Sequence, residues 1–189
     1  TAANQKIRRL FASNVAQFLA NLTLRQTLEQ ASLRDPLTNL FNRRYFNEQL
    51  AIEFERASRA RSPLALQTVD IDHFKQINDR FGHQTGDKVL CRVCECVSAQ
   101  LRGEDLFVRS GGEEFLIILP ETDAASAERA VHALQKRING FSFERVQHKS
   151  ASFGIAEYRP GESLDSLMER ADQVMYRAKA NGRDCVETL

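Results

Sequence analysis

Two short apolar segments separated by a pair of glycines constrain the fold of this chain more than any other feature. Residues 106–108 and 115–119 have the composition of strands, and Gly111-Gly112-Glu113-Glu114 lies between them. Two strands joined through a Gly-Gly turn form a β-hairpin, so these segments are predicted to be antiparallel neighbours in a sheet. The glycines also allow a ligand to approach the backbone closely, next to two carboxylates; a solvated, charged turn is the alternative.

Helical and extended patterns alternate in the rest of the chain. The predicted strands are residues 64–71 and 148–158, and the predicted helices lie within residues 38–61, 87–101, 122–138 and 163–180. Crossover helices around a hairpin are typical of one sheet with helices packed on it, so the sequence predicts the α+β class. A length of 189 residues fits one such domain with a short appendage.

Residues 1–33 are predicted to form that appendage, a helical stalk, ahead of a folded domain at residues 34–189. Residues 4–33 contain neither Pro nor Gly, and Phe11, Val15, Phe18 and Leu22 repeat at helical spacing. So narrow an apolar stripe favours pairing with a second copy of the chain as a coiled coil, rather than packing on its own domain.

Composition excludes several classes of function. Lys and Arg number 26 and Asp and Glu 25, a net charge of +1, which argues against a polymeric nucleic-acid partner. The longest apolar run, residues 115–119, is too short to span a bilayer, so we expect no membrane contact within this chain. The four cysteines do not form a disulfide framework, which favours the reducing cytoplasm. Because the sequence begins at Thr1 without a signal peptide, we expect it to be part of a longer protein, with any anchor or sensor outside it.

The strand at residues 64–71 ends in carboxylates. Asp70 lies between Val69 and Ile71, so its carboxylate is carried on rigid, buried structure. A carboxylate here, facing those of the hairpin, is how a hard cation such as Mg²⁺ is held, and Mg²⁺ usually keeps substrate phosphates as ligands. A strand-end cap is the alternative for Asp70. For Asp72 we predict the N-cap of a following helix.

Two further pairs of side chains suit a nucleotide. Asp87 follows a loop with two glycines, where it could cap a helix or accept hydrogen bonds from the N1–H and N2–H₂ edge of guanine, with Asn78 meeting guanine O6 or N3. Adenine lacks these donors, so the pair favours guanine. Lys179 and Arg183 flank the end of the last helix, where they could complement its dipole or hold a triphosphate.

Five motifs then occur in order, the last of them in two parts. They are D-P-L-T-N-L-F-N-R-R at 35–44, D-I-D-H-F-K-Q-I-N-D at 70–79, G-H-Q-T-G-D at 82–87, G-G-E-E-F at 111–115, and the closing S-F-G-I-A and A-K-A-N-G-R at 152–156 and 178–183. Together they resemble the GGDEF domain family, the diguanylate cyclases, over residues 33–189. Two positions depart from the family pattern: Asn39 stands where Gly is usual, and Ser110 where Tyr is usual.

The resemblance implies a palm-like, mostly antiparallel central sheet flanked by helices and preceded by a long N-terminal helix. It implies an enzyme that condenses two GTP molecules into cyclic di-GMP with release of two pyrophosphates, as a homodimer whose domains face each other. A catalytically silent nucleotide or cyclic di-GMP sensor of the same fold is the alternative, as is a nucleotidyl cyclase with another product.

The resemblance also implies a role for each site residue. Mg²⁺ or Mn²⁺ would be bound by Asp70, the carbonyl of Ile71, and Glu113. Glu113 or Glu114 would help deprotonate the attacking 3′-hydroxyl. The remaining substrate contacts would come from Asn78 and Asp87 on guanine, from Lys179 and Arg183 on phosphates, and from the backbone of His73, Phe74, Lys75, Gly111 and Gly112.

Arg102 and Asp105 form a separate candidate site. The R-x-x-D spacing ahead of the hairpin resembles the family's inhibitory site, at which the product cyclic di-GMP docks. An ordinary charged loop is the alternative. Arg129 and Arg137 are both candidates for completing such a site.

Overall fold

The computed structural model describes residues 14–19, 21–22, 33–141, 146 and 149–189 of the chain. The chain divides into two units, Thr1–Leu33 and Arg34–Leu189. The second unit contains six strands and five helices within the described residues. In chain order they are β1 (Phe41–Asn42), α1 (Arg43–Ala60), β2 (Leu64–Ile71), α2 (Phe74–Phe81), α3 (His83–Ser98), β3 (Leu106–Gly111), β4 (Glu114–Pro120), α4 (Ala124–Gly140), β5 (Ala151–Glu157), α5 (Leu164–Ala180) and β6 (Val186–Thr188).

The strands form one mixed sheet in the order β1-β3-β4-β2-β5-β6. The four inner strands pair antiparallel, and the short edge strands β1 and β6 pair parallel to β3 and β5. The predicted hairpin is β3–β4, with a register shift between Arg109 and Gly111. The expected mostly antiparallel sheet flanked by helices is therefore confirmed, and β2 lies at its centre.

Alternate residues of β2 enter two different cores, because successive side chains of a strand point to opposite faces of its sheet. Ala65, Val69 and Ile71 contribute to the core beneath α2, α3 and α4. Leu64 and Leu66 contribute to the core beneath α1 and α5. All eight residues of β2 are buried, so the strand holds a fixed position between both helical layers.

The helices differ from the sequence prediction mainly at their ends. Asn42, Asp123 and Ser163 cap α1, α4 and α5 through side-chain hydrogen bonds. The predicted helix at residues 87–101 begins four residues earlier, at His83, because Gly82 (φ +83°) supplies the break between α2 and α3 and Gly86 lies inside the helix. The edge strands β1 and β6 were not predicted.

Most of the predicted helix at residues 4–33 lies outside the described residues. Within it, residues 14–19 and 21–22 are helical. Val15, Phe18 and Leu22 are 40%, 64% and 41% exposed. None of the helices in the described parts of the chain is long and apolar enough to cross a bilayer.

Candidate active site

The carboxylate of Asp70 lies where three elements meet. The antiparallel register of β2 and β4 places Asp70 opposite Glu114. Lys179, in the last turn of α5, has its Nζ 2.7 Å from Asp70 Oδ2. The three residues line an open cavity of about 260 Å³ between α5, α1 and the sheet. A carboxylate predicted to bind metal and a lysine predicted to bind phosphate are thus in direct contact.

Negative charge is concentrated at this end of β2. Glu113 is held beside Ile71, whose N–H donates to the Glu113 carbonyl at 3.2 Å. Burial raises the pKa of the Asp70 carboxyl above its ordinary value. The hydrogen bond and charge of Lys179 act to lower this pKa, whereas repulsion from Glu113 and Glu114 raises it further. A cation at this position would relieve that repulsion.

The donor atoms suit a hard cation that takes some of its ligands from the protein and the others from a substrate. No group of three or more His, Cys, Asp and Glu side chains among the described residues is arranged as a complete metal site. Mg²⁺ needs no such cage, because it is commonly bound through one or two carboxylates and completes its shell with waters and phosphates. Asp70, the adjacent carbonyl of Ile71 and a hairpin carboxylate therefore fit this cation.

The tip of the hairpin is tied to the start of the folded unit. Gly112 has a φ of +49°, in the left-handed region that favours glycine. Its carbonyl accepts hydrogen bonds from Arg109 Nε and Nη2 at 3.0 and 2.7 Å. Arg109 Nη1 lies 3.0 and 3.1 Å from the two carboxylate oxygens of Asp35. Arg109 thus fixes the loop that carries Glu113.

The structure gives physical reasons why the two departures from the family pattern are tolerated. Asn39 has a φ of +56°, a left-handed conformation that suits glycine and that Asn adopts more readily than most residues. Ser110 lies at the irregularity of the hairpin, where its Oγ accepts a hydrogen bond from Arg43 Nη1 at 2.8 Å.

Asn78 and Gly86 are in close contact between α2 and α3. A Cβ atom added at Gly86 would lie 1.9 Å from Asn78 Oδ1, so only glycine permits this approach. Asn78 Oδ1 is buried and has no hydrogen-bond partner among the described residues. Asp87, the next residue after Gly86, is exposed in the second turn of α3. The helix-cap interpretation of Asp87 is therefore wrong, whereas a polar recognition site at this contact is compatible with the geometry.

The predicted N-cap role of Asp72 is also wrong. The N-cap of α2 is His73, with a φ of +57° and no side-chain cap bond within the described residues. The N–H of Asp72 donates to the Ser150 carbonyl at 2.9 Å, so pairing with the β5 segment continues past the end of β2 and the helix starts only afterwards. The N–H groups of Phe74 and Lys75 lie in the first turn of α2, the position at which helices commonly bind anions.

Arg183 and the Arg102–Asp105 pair lie far from Asp70 in the sequence. They differ in exposure and in their hydrogen bonds. Arg183 is exposed, with a φ of +65°, just after α5. Arg102 Nη2 bonds to Asp105 Oδ1 at 2.9 Å and to Thr122 Oγ1 at 2.7 Å. The Asp105 side chain is only 3% exposed, and the two R-x-x-D residues bind each other in this structure.

Sequence reasoning missed the contributions of Arg109, Asp35 and Asp72. Asp35 and Arg109 are 74 positions apart, and no local pattern indicates their contact. For Asp72, the alternation with Asp70 could have indicated continued pairing of the strand.

Comparison with known proteins places these features in a family. The protein-family model described as "Diguanylate cyclase, GGDEF domain" matches residues 32–185 of this chain. The chain is 40% identical over 161 residues to the diguanylate cyclase DgcP of Pseudomonas aeruginosa, covering 84% of this chain and 24% of DgcP. The chain spans 24–51% of the length of this and other curated relatives.

Two solved structures share the fold. The coiled coil and GGDEF domain of DgcB from Caulobacter crescentus, in complex with c-di-GMP, superposes with a TM-score of 0.81 at 32% identity, covering 95% of this chain and 99% of that one. The active GGEEF domain of a diguanylate cyclase from Vibrio cholerae gives 0.74 at 34% identity, covering 78% and 96%. With its Gly-Gly-Glu-Glu-Phe hairpin beside Asp70, the chain belongs to the GGDEF domain family of diguanylate cyclases.

Proposed function

We propose that this chain is the catalytic part of a diguanylate cyclase, which joins two GTP molecules into cyclic di-GMP and releases two pyrophosphates. The observation that carries the proposal is the convergence of Asp70, Glu114 and Lys179 at one cavity beside the Gly-Gly hairpin tip. Phosphoryl transfer depends chiefly on positioning and neutralisation of charge, and this site provides groups for both.

In the proposed reaction, the 3′-hydroxyl of one GTP attacks the α-phosphorus of the other. A new P–O bond forms, the bond to pyrophosphate breaks, and Glu113 or Glu114 accepts the hydroxyl proton. A second attack of the same kind closes the ring with the roles of the two nucleotides exchanged: the other 3′-hydroxyl gives up its proton, and the second pyrophosphate leaves. Each domain holds one GTP, so two copies must face each other.

Asp70, the Ile71 carbonyl and Glu113 would hold Mg²⁺ or Mn²⁺. The bound cation would neutralise phosphate charge and orient the triphosphate. Lys179 would exchange its contact with Asp70 for a phosphate oxygen, joined by Arg183 and the N–H groups at the start of α2.

Asn78 and Asp87 would select guanine. Asn78 Oδ1 is a buried acceptor without a hydrogen-bond partner among the described residues, and the Asp87 carboxylate matches the N1–H and N2–H₂ edge of guanine. Adenine offers no such pair of donors on that edge.

Pairing of residues 4–33 would bring the two domains together. The exposed apolar side chains of Val15, Phe18 and Leu22 support this role, as does the coiled coil named in the DgcB structure. Cyclic di-GMP would inhibit the enzyme at Arg102 and Asp105, a process that requires their mutual ion pair to open.

The decisive experiment is incubation of the chain with GTP and Mg²⁺, with identification of the product by mass. Cyclic di-GMP together with pyrophosphate is the expected result, and ATP should give no cyclic dinucleotide. Binding of cyclic di-GMP without any turnover of GTP would instead identify a silent sensor module.

A further inference from the structure

Asp72 is a buried carboxylate that the proposed reaction does not use. Only 3% of the residue is exposed. Its Oδ1 accepts a hydrogen bond from Ser152 Oγ at 2.6 Å, and its Oδ2 accepts one from Ser150 Oγ at 2.6 Å. Buried charge is costly unless hydrogen bonds compensate it, so this arrangement calls for a structural or functional reason.

The third partner of Asp72 comes from the far end of the chain. The backbone N–H of Asp184 donates to Asp72 Oδ2 at 3.0 Å, across 112 positions. The same loop is held from the other side by α4, where Gln135 Nε2 donates to the Asp184 carbonyl at 2.6 Å and Asn139 Nδ2 donates to Asp184 Oδ1 at 2.9 Å. The loop is thus anchored on two sides at Asp184.

The anchored loop has a backbone that is unfavourable on its own. Arg183 and Asp184 have φ values of +65° and +48°, in a region that side chains other than Gly adopt only at a cost. Such a conformation persists when its surroundings enforce it, and the bond from Asp184 to Asp72 is one such constraint.

We propose that Asp72 is the positioning residue for Arg183, holding the loop so that the guanidinium is available to the triphosphate. The inference rests on the proposed function, because it takes Arg183 to be a phosphate ligand. Asp70 and Asp72 then have different roles at the end of α5. Asp70 contacts Lys179 directly, and Asp72 holds the loop that carries Arg183.

The contacts distinguish Asp72 from a metal ligand. Both of its carboxylate oxygens accept hydrogen bonds from the protein, three in all. Asp70, two residues earlier, is in contact with the ammonium group of Lys179 and lines the cavity. Asp72 therefore acts through the loop and not on the substrate.

The test is a double-mutant cycle on the 189-residue chain, with inorganic triphosphate in the presence of Mg²⁺ as the probe and calorimetry as the readout. Arg183→Ala and Asp72→Asn should each weaken binding about tenfold, the size of one charge-assisted hydrogen bond. The double variant should bind no more weakly than Arg183→Ala alone, because Asp72 has no effect without Arg183. Losses that multiply would overturn the inference, as would triphosphate affinity in Asp72→Asn equal to that of the wild type.

Glu162→Gln is the matched control. Glu162 is another largely buried carboxylate, which accepts a backbone N–H from Arg159, a hydroxyl from Ser166 and the guanidinium of Arg170. Its variant should lower the melting temperature and keep triphosphate affinity; an equal loss of affinity would mean general softening of the fold and would refute the proposal.

Two further readouts separate the remaining explanations. Ser150→Ala removes one donor to Asp72 and should weaken triphosphate binding slightly, in a protein that folds. If Asp72→Asn raises the Mg²⁺ concentration needed for binding while Arg183→Ala does not, Asp72 is a metal ligand and the inference is wrong. Coupled losses in a chain that makes no cyclic di-GMP would refute the proposed function and leave the inference standing.

Discussion

Arg109 joins the hairpin that carries Glu113 to Asp35, with its Nη1 3.0 Å from one carboxylate oxygen and 3.1 Å from the other. Their side chains are only 13% and 20% exposed, so solvent screens this pair less than a surface pair. Asp35 also accepts hydrogen bonds from the N–H and hydroxyl of Thr38 at 2.8 and 2.7 Å. The first turn of the folded unit and the Gly-Gly hairpin are therefore one hydrogen-bonded assembly.

The stabilising effect of Asp35 should depend on pH. Burial raises the pKa of Asp35, but the hydrogen bonds from Thr38 and the charge of Arg109 outweigh it, so the pKa lies below its ordinary value of 3.8. A carboxyl of this kind stabilises the fold above its ordinary pKa, and the contribution is lost as the pH falls through the lowered value. Asp35→Asn should lower the free energy of unfolding at pH 7, with a difference from wild type that shrinks in strong acid.

Thermal unfolding of both proteins at neutral and acidic pH measures this difference. Glu95→Gln serves as the control, because its partner Arg92 lies in an exposed pair at 2.6 Å. The control should stay within about 0.5 kcal/mol of wild type. A difference for Asp35→Asn that is the same at both pH values would contradict the prediction.

Glu113→Gln and Asp70→Asn should each reduce cyclic di-GMP synthesis at least about 100-fold, because each removes charge that holds the cation and the developing transition state. Both variants should stay folded. Asp70→Asn relieves a buried negative charge next to Glu113 and Glu114, so its melting temperature should not fall sharply. Near-normal turnover with Mg²⁺ in either variant would show that the assignment is wrong.

Gly86→Ala should impair guanine recognition indirectly, through Asn78. The added Cβ atom would lie 1.9 Å from the present position of Asn78 Oδ1, so the Asn78 side chain would have to move. We expect GTP to bind about tenfold more weakly, within the cost of about 1–3 kcal/mol for donors left unpaired, and inorganic triphosphate to bind as before. Asp87→Ala should give the same pattern. Equal weakening of GTP and ATP in these variants would exclude a role in base selection.

Arg102→Ala should leave the initial rate nearly unchanged and abolish the slowing that accompanies accumulation of product. The physical reason is that a guanidinium can bond the Hoogsteen edge of guanine, while Asp105 accepts from its N1–H and N2–H₂ edge. Progress curves with and without added cyclic di-GMP provide the measurement. Equal inhibition of variant and wild type would assign Arg102 to a purely structural role, through its bonds to Thr122 and Pro120.

Phe18→Glu should lower the rate per chain most at low protein concentration, because a charge in the apolar stripe opposes pairing of two copies. Phe18 is 64% exposed, so the substitution should leave the folded unit intact. Sedimentation and activity measured over a dilution series test the expectation. A rate that does not depend on concentration, equal to that of wild type, would count against pairing through this segment.

Local patterns in the sequence were enough to predict most elements of this fold, but not the short edge strands β1 and β6. The strand at residues 64–71 was predicted with the bounds that the structure gives, since eight buried residues between turns leave little choice. The hairpin followed from two glycines between apolar segments. The contacts made across the fold could not be predicted, because the bonds from Arg109 to Asp35 and from Asp72 to Asp184 join positions 74 and 112 residues apart. Asp72 was misassigned because local capping rules take no account of strand pairing that continues past a helix start.

The central position of β2 restricts where the chain can change length. Leu66 and Asp70 point to the α1–α5 side, and Ala65 and Val69 point to the other. Deleting or inserting one residue between positions 64 and 70 would exchange the two sets, since the side-chain period of a strand is two. Asp70 would then enter the apolar core, and large aliphatic side chains would line the cavity that Asp70 shares with Lys179. We therefore expect insertions and deletions to be compatible with activity outside this strand, in connections such as residues 159–163. A change of length there does not alter which face of the sheet each β2 side chain occupies.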